Sequence, residues 1–159
     1  TFEQVVQGRI LDGPSFSYTE IRNLSLSKAS DASTIYARVL DAKLPSFNEN
    51  VSLVLHYNQA LLDLMDDWED IEEDIQEDMP NVFVMAAIEN VAYGIIKKYN
   101  ITKLRNTILN SLETSESPII RLVDEYQASI RNISIPSNLV FIKLVSDHHA
   151  NAVSRAMSS

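Results

Sequence analysis

The strongest constraint on the fold is the spacing of helix-breaking residues along a chain that lacks the sequence signal for strands. Nowhere is there the sustained alternation of apolar and polar residues that a half-buried strand requires. Ser17 and Glu20 have the spacing of a capping box, in which each side chain accepts a backbone N–H at the start of a helix. Prolines and short polar runs separate the apolar stretches. We predict an all-α fold with helices over residues 2–11, 17–43, 50–78, 81–99, 102–112, 118–132 and 137–156.

Length and composition are those of one globular domain. The chain has 159 residues, of which 45% are hydrophobic and 22% are charged, and a domain usually takes roughly 100–200 residues. The sequence contains no internal repeat and no linker. We therefore predict a single all-α domain, a helical bundle that spans residues 1–159. Because the first residue is threonine, we expect the natural protein to have a further N-terminal portion.

Three absences exclude whole classes of function. Only three glycines occur, at Gly8, Gly13 and Gly94, so the clustered glycines of a dinucleotide- or phosphate-binding loop are missing. The lack of cysteine excludes disulfides, thiolate metal sites and a cysteine nucleophile. No apolar run approaches the roughly 20 residues of a membrane-spanning helix, and no signal peptide is visible. We therefore expect a cytoplasmic location and no membrane span.

The negative charge of the chain is concentrated in one stretch. The net charge is −9, from 22 acids against 13 bases. Between Asp66 and Asp78 there are nine acids and no base, and the remaining acids and bases balance. Such a stretch repels nucleic acid and anionic membranes and attracts cations. It is either a metal-binding surface, a solvated helix face or an acidic interaction patch.

The aspartates of this stretch follow helical spacing. On a helix, the series i, i+3, i+4, i+7, i+11 lies along one stripe, and it is occupied by Asp63, Asp66, Asp67, Asp70 and Asp74. The apolar residues Leu64, Trp68, Ile71 and Ile75 lie toward the other side and are predicted to pack. Aspartate is a poor helix former, and carboxylates late in a helix oppose its dipole. Short carboxylates together with water and phosphate oxygens are usual ligands of Mg²⁺. The pattern therefore favours a magnesium site over a solvated face.

The same residues resemble a known family. Asp66-Asp67-Trp68-Glu69-Asp70 is similar to the second aspartate-rich DDxxD motif of the trans-prenyltransferases, the polyprenyl diphosphate synthases of the class I isoprenoid synthases. Upstream, Gly8-Arg9-Ile10-Leu11-Asp12 resembles the family's Gly-Gln-x-Leu-Asp. Lys28-Ala29, on the helix that begins with the capping box, resembles its Lys-Thr signature. These matches cover residues 8–78.

The chain departs from the family pattern in several motif residues and in the part of the family fold that it covers. Arg9 stands in place of glutamine, Ala29 in place of threonine, and Leu62-Asp63 in place of Phe-Gln. The family's first aspartate-rich motif has no counterpart before Gly8. The chain therefore resembles the C-terminal half of the isoprenoid synthase fold. Either the N-terminal half lies outside this sequence or on another chain, or the protein is a reduced relative that does not perform the full reaction.

The resemblance implies a function and a set of site residues. It implies Mg²⁺ as cofactor, an isoprenyl diphosphate as substrate and a transferase of isoprenoid biosynthesis, with a homo-oligomer or a partner chain as further expectations. Asp66 and Asp70 would bind Mg²⁺ directly, Asp67 and Asp74 would be outer or alternate ligands, and Lys28 would contact the diphosphate. The competing hypothesis is a non-catalytic acidic helical subunit that docks on a basic surface.

Overall fold

The described part of the chain is helical. A computed structural model describes residues 16–43, 47–88, 98, 100–112 and 117–156. Within these residues there is no strand, so the all-α prediction is confirmed. The elements are α1 (Tyr18–Asp41), α2 (Glu49–Glu69), α3 (Ile71–Gln76), α4 (Val82–Ile88), α5 (Ile101–Leu112), α6 (Pro118–Asn132), a 3₁₀ helix (Ser137–Leu139) and α7 (Phe141–Ala156).

Local signals account for the starts of α1, α5 and α6. The capping box is present before α1, where Ser17 N donates to Glu20 Oε2 at 2.9 Å and Glu20 N donates to Ser17 Oγ at 3.3 Å. At the start of α5, Asn100 Oδ1 accepts the backbone N–H of Lys103 at 2.9 Å. Pro118 is the first residue of α6, a position where a missing N–H costs nothing. The predicted helix over 2–11 and the end of the predicted helix over 81–99 lie outside the described residues.

The predicted continuous helix over 50–78 is wrong. The structure divides it into α2 and α3, with Asp70 between them at φ −93° and ψ 8°. Asp70 N donates to Asp66 O at 2.8 Å and Asp74 N to Asp70 O at 2.9 Å, so the backbone turns remain helical on both sides. After α3, Asp78 takes the left-handed conformation, with φ 57°, that often ends a helix. The cause of the bend at Asp70 lies in the site described below.

The described chain forms two compact units. One unit comprises the described residues of Thr1–Arg22 and Asp66–Arg121, and the other those of Asn23–Met65 and Leu122–Ser159. The single domain that composition and continuity indicate stays a prediction.

The first unit has its core around α4. Every residue of α4 is buried, and α4 packs against α5. The ring of Trp68 lies 5.2 Å from that of Phe83, centroid to centroid. Ile71 and Ile75 are buried as well. The predicted packing of the apolar side of the acidic stretch is therefore confirmed, and Leu64, which belongs to the second unit, is buried too.

The second unit is held by polar contacts as well as by an apolar core. Ser33 Oγ lies 2.9 Å from His56 Nδ1, which joins α1 to α2. Asn58 Nδ2 donates to Ile142 O at 3.0 Å, which joins α2 to α7. Burial lowers the pKa of His56 below its ordinary value of 6.5, and the charge of Asp63 partly opposes that shift. The unit's fully buried side chains include Val51, Val54, Leu61, Leu122, Tyr126 and Ile130.

No helix among the described residues is both long enough and apolar enough to cross a bilayer.

Candidate functional site

The candidate site is the stretch of residues 66–78, which we call the acidic segment. It comprises the last turn of α2, the bend at Asp70, α3 and the two residues that follow it. Its aspartates differ in exposure. Asp66 and Asp70 are exposed, Asp74 is half-buried, and Asp67 is only 3% exposed. Residues that the sequence places on one stripe therefore have different environments.

Asp67 faces the start of α4. Its Oδ2 accepts the backbone N–H of Val82, the first residue of α4, at 2.9 Å. The first N–H groups of a helix have no partner within the helix, and the positive end of the helix dipole favours a carboxylate there. Asp67 therefore stabilises α4 from a neighbouring helix.

Asn81 connects both parts of the acidic segment to α4. Its side chain is fully buried, and its Nδ2 donates to Asp67 O at 2.6 Å and to Asp74 Oδ2 at 2.7 Å. Its Oδ1 accepts the N–H groups of Phe83 at 3.0 Å and Val84 at 3.2 Å. All four hydrogen-bonding positions of the amide are thus occupied, which is what a buried side chain of this kind requires.

Arg105 of α5 contacts the same turn from another direction. Its Nη2 donates to the carbonyl oxygens of Trp68 at 3.3 Å and Glu69 at 3.2 Å. Its guanidinium carbon lies 5.5 Å from the centre of the Trp68 ring, within cation–π range. Helices bend where side-chain donors compete for backbone carbonyls. We therefore attribute the bend at Asp70 to these bonds and to the one from Asn81 to the carbonyl of Asp67.

Asp66 and Asp70, which we call the exposed pair, lie one helical turn apart. The hydrogen bond from Asp70 N to Asp66 O, at 2.8 Å, keeps that turn helical at the bend. Within the ranges that the structure describes, neither carboxylate has a hydrogen-bond or ion-pair partner. Like charges at this spacing repel each other. The exposed pair is therefore accessible to a cation and would be stabilised by one.

A surface depression of about 470 Å³ lies beside the bend. It is open to solvent, and its lining consists of Glu69, Asp70, Glu72, Glu73, Gln76 and Glu77. Glu69, Glu72 and Glu73, which do not belong to the aspartate series, lie around Asp70 in this lining. Of the predicted stripe, Asp70 contributes to this lining.

The remaining predicted site residues lie in the other unit. Lys28 is exposed on α1, and it belongs to the second unit, whereas Asp66, Asp67, Asp70 and Asp74 belong to the first. Asp63 is also in the second unit, where its Oδ1 accepts a hydrogen bond from Gln59 at 2.7 Å.

The four aspartates predicted to bind Mg²⁺ differ in how well they suit that ion. Mg²⁺ binds one or two carboxylates and completes its shell with water and phosphate oxygens, and the exposed pair offers two such carboxylates. Asp67 fits poorly because it is buried and its Oδ2 is already bonded to Val82 N. Asp74 has one oxygen bonded to Asn81 and is half-buried. Among the described residues, no group of three or more His, Cys, Asp or Glu side chains is arranged to hold a metal ion.

Comparison with protein families, with curated proteins and with solved structures finds no match to this chain. The resemblance to the trans-prenyltransferases therefore stays a prediction from the motifs in the sequence.

Proposed function

We propose that this protein binds an isoprenyl diphosphate together with Mg²⁺ at the exposed pair, in the manner of a prenyltransferase. The observation that carries the proposal is that Asp66 and Asp70, the first and last aspartates of the DDxxD motif, are exposed and joined by an intact backbone turn. The buried contacts of Asp67 and Asn81 support it, because they hold that turn in place. In this proposal Asp67 acts through the fold and the exposed pair binds the metal.

Electrostatics explains why the ligand would be a metal–diphosphate complex. Two exposed carboxylates repel a free diphosphate, so the anion binds only with a cation between them. When bound, Mg²⁺ would neutralise the charge that develops on the diphosphate as the leaving group departs. The proposed reaction class is transfer of an isoprenyl group.

Calorimetric titration with geranyl diphosphate, with and without Mg²⁺, tests this proposal. We expect saturable binding in the presence of Mg²⁺ and none in its absence. Binding of equal strength under both conditions, or no binding in either, would contradict the proposal. Farnesyl diphosphate, titrated in parallel, shows whether the longer isoprenyl chain changes the affinity.

The acidic depression supports a second candidate, a non-catalytic subunit that docks on a basic protein surface. Five carboxylates line the depression, and its lining residues include no base. Exposed charges of one sign attract a basic partner through interactions that salt screens. A lysine-rich peptide should then bind at low salt and dissociate at high salt, and diphosphate should have no effect. Binding that requires both Mg²⁺ and diphosphate favours the first candidate instead.

A further inference from the structure

Arg105 is the most notable residue near the exposed pair that the motif does not include. Its Nη2 bonds to two consecutive carbonyls, and its guanidinium lies over Trp68, so one side chain contacts the last turn of α2 in two ways. Trp68 in turn packs on Phe83 of the buried helix α4. The turn that carries the exposed pair is thus linked through Arg105 to α5 and through Trp68 to the core of the unit.

The contacts of Arg105 oppose a local electrostatic cost. The last carbonyls of a helix form the negative end of its dipole, and a cation near them is stabilising. Here the same turn also carries the charges of Asp66 and Asp70, which make its helical form less favourable. A positive charge bonded to the carbonyls of Trp68 and Glu69 compensates part of this cost.

Resting on the function proposed above, we propose that Arg105 is a positioning residue that keeps Asp66 and Asp70 at the spacing with which they bind one metal–diphosphate complex. Without Arg105 the turn samples other conformations, and part of the binding free energy is then spent on returning the turn to its helical form. Lysine does not replace arginine here, because an ammonium group lacks the planar guanidinium that stacks on the indole ring while it bonds to the carbonyls.

The chain offers both a reporter and a matched control. Trp68 is the single tryptophan, so its fluorescence reports on this turn alone. Arg121 also lies over an aromatic ring, that of Tyr18, with its guanidinium carbon 3.9 Å from the ring centre. This second Arg–aromatic pair belongs to the same unit. Arg121→Lys therefore makes the same chemical change as Arg105→Lys in a pair outside the acidic segment.

The experiment titrates geranyl diphosphate at fixed Mg²⁺ into the wild-type protein, Arg105→Lys and Arg121→Lys, by calorimetry and by Trp68 fluorescence. We expect Arg105→Lys to raise the Kd about tenfold, a difference of about 1.4 kcal/mol, and to raise the Mg²⁺ concentration needed for half-maximal binding. Arg121→Lys should leave both values unchanged. The thermal midpoint of each protein is measured in parallel, so that a loss of folded protein is not counted as a loss of affinity.

The outcomes separate this inference from the proposed function. If the wild type shows no Mg²⁺-dependent binding, the proposed function fails and the role of Arg105 fails with it. If the wild type binds and Arg105→Lys binds equally well, only the positioning role is overturned. Should Arg105→Lys not fold, Arg105→Gln, which keeps an amide donor but no charge, takes its place with the same expected rise in Kd. A lower thermal midpoint with unchanged Kd and Mg²⁺ requirement would show that Arg105 serves stability alone.

Discussion

Replacing Asp67 with alanine tests whether this aspartate serves the fold rather than the ligand. The substitution removes the carboxylate that accepts the N–H of Val82 at 2.9 Å and leaves that N–H buried without its partner. The bond from Asn81 to the backbone oxygen of Asp67 does not involve the lost side chain. We therefore expect the lost stabilisation to be confined to the start of α4.

The magnitude follows from the kinds of interaction lost. A hydrogen bond to a charged group contributes roughly 1.5–3 kcal/mol, and loss of a helix N-cap costs roughly 0.5–2 kcal/mol. Relief of repulsion from neighbouring carboxylates returns a few tenths of a kcal/mol. We expect Asp67→Ala to lower the free energy of unfolding by about 2 kcal/mol, which corresponds to roughly 4–8 °C in Tm for a chain of this size.

Thermal unfolding and amide hydrogen exchange measure this effect, with Asp66→Ala as the control. Both variants remove one carboxylate from adjacent positions, but the Asp66 carboxylate is exposed and has no hydrogen-bond or ion-pair partner among the described residues. We expect Asp66→Ala to change the free energy of unfolding by less than about 0.5 kcal/mol, or to raise it slightly. The amide of Val82 should exchange faster in Asp67→Ala and at the wild-type rate in Asp66→Ala. Equal Tm values for the two variants, or a more stable Asp67→Ala protein, would refute the capping role.

Three further predictions concern the same structure. Asp66→Ala or Asp70→Ala should abolish Mg²⁺-dependent binding of geranyl diphosphate and leave the fold intact, whereas Glu72→Ala should retain binding in calorimetry; equal losses from all three would favour a generic acidic patch. Asn81→Ala should lower the free energy of unfolding by about 3 kcal/mol in urea denaturation, because a buried side chain loses four hydrogen bonds. A change below about 1 kcal/mol would contradict its linking role. Burial lowers the pKa of His56, so its contribution to the free energy of unfolding is fully present above pH 6.5 and is lost as pH falls from 6.5 through the folded-state pKa. His56→Gln should therefore flatten the decline in the free energy of unfolding between pH 7 and 5.5, and a slope equal to that of the wild type would contradict this role of His56.

Helix positions were predictable wherever the signal is local. The capping box of Ser17 and Glu20, the cap at Asn100 and the first-turn Pro118 each act within a few residues, so sequence alone locates them. The burial of Trp68 and Ile71 was also predictable, because helical periodicity determines which residues share a face.

The bend at Asp70 was not predictable, because its cause is remote in sequence. Asn81 and Arg105 reach the carbonyls at the end of α2 from 14 and from 36 to 37 residues away. Asn81 itself has a signal, since an asparagine directly before an apolar run is a typical helix cap. Arg105 has none, because its position over Trp68 depends on how α5 packs.

The environment of each aspartate was predictable only in part. Adjacent residues on a helix differ by about 100° in direction, which allows Asp66 to be exposed while Asp67 is buried. That Asp67 receives the start of α4 follows from the path of residues 77–81, which turn at Asp78 and bring Val82 back to it. The DDxxD spacing therefore drew attention to the acidic segment as a candidate site. The structure distinguishes the exposed pair from the buried Asp67, which caps α4.

The most direct test of the account is electron paramagnetic resonance of Mn²⁺ added to the protein, since Mn²⁺ takes the same oxygen ligands as Mg²⁺. Geranyl diphosphate alone also binds Mn²⁺, so the quantity measured is the fall in free Mn²⁺ signal beyond the falls that protein and diphosphate cause separately. We expect such an extra fall when both are present, we expect Asp66→Ala to remove it, and we expect folded Asp67→Ala to retain most of it. No extra fall in the wild type, or an extra fall as large in Asp66→Ala as in the wild type, would contradict the claim that the exposed pair binds a metal–diphosphate complex.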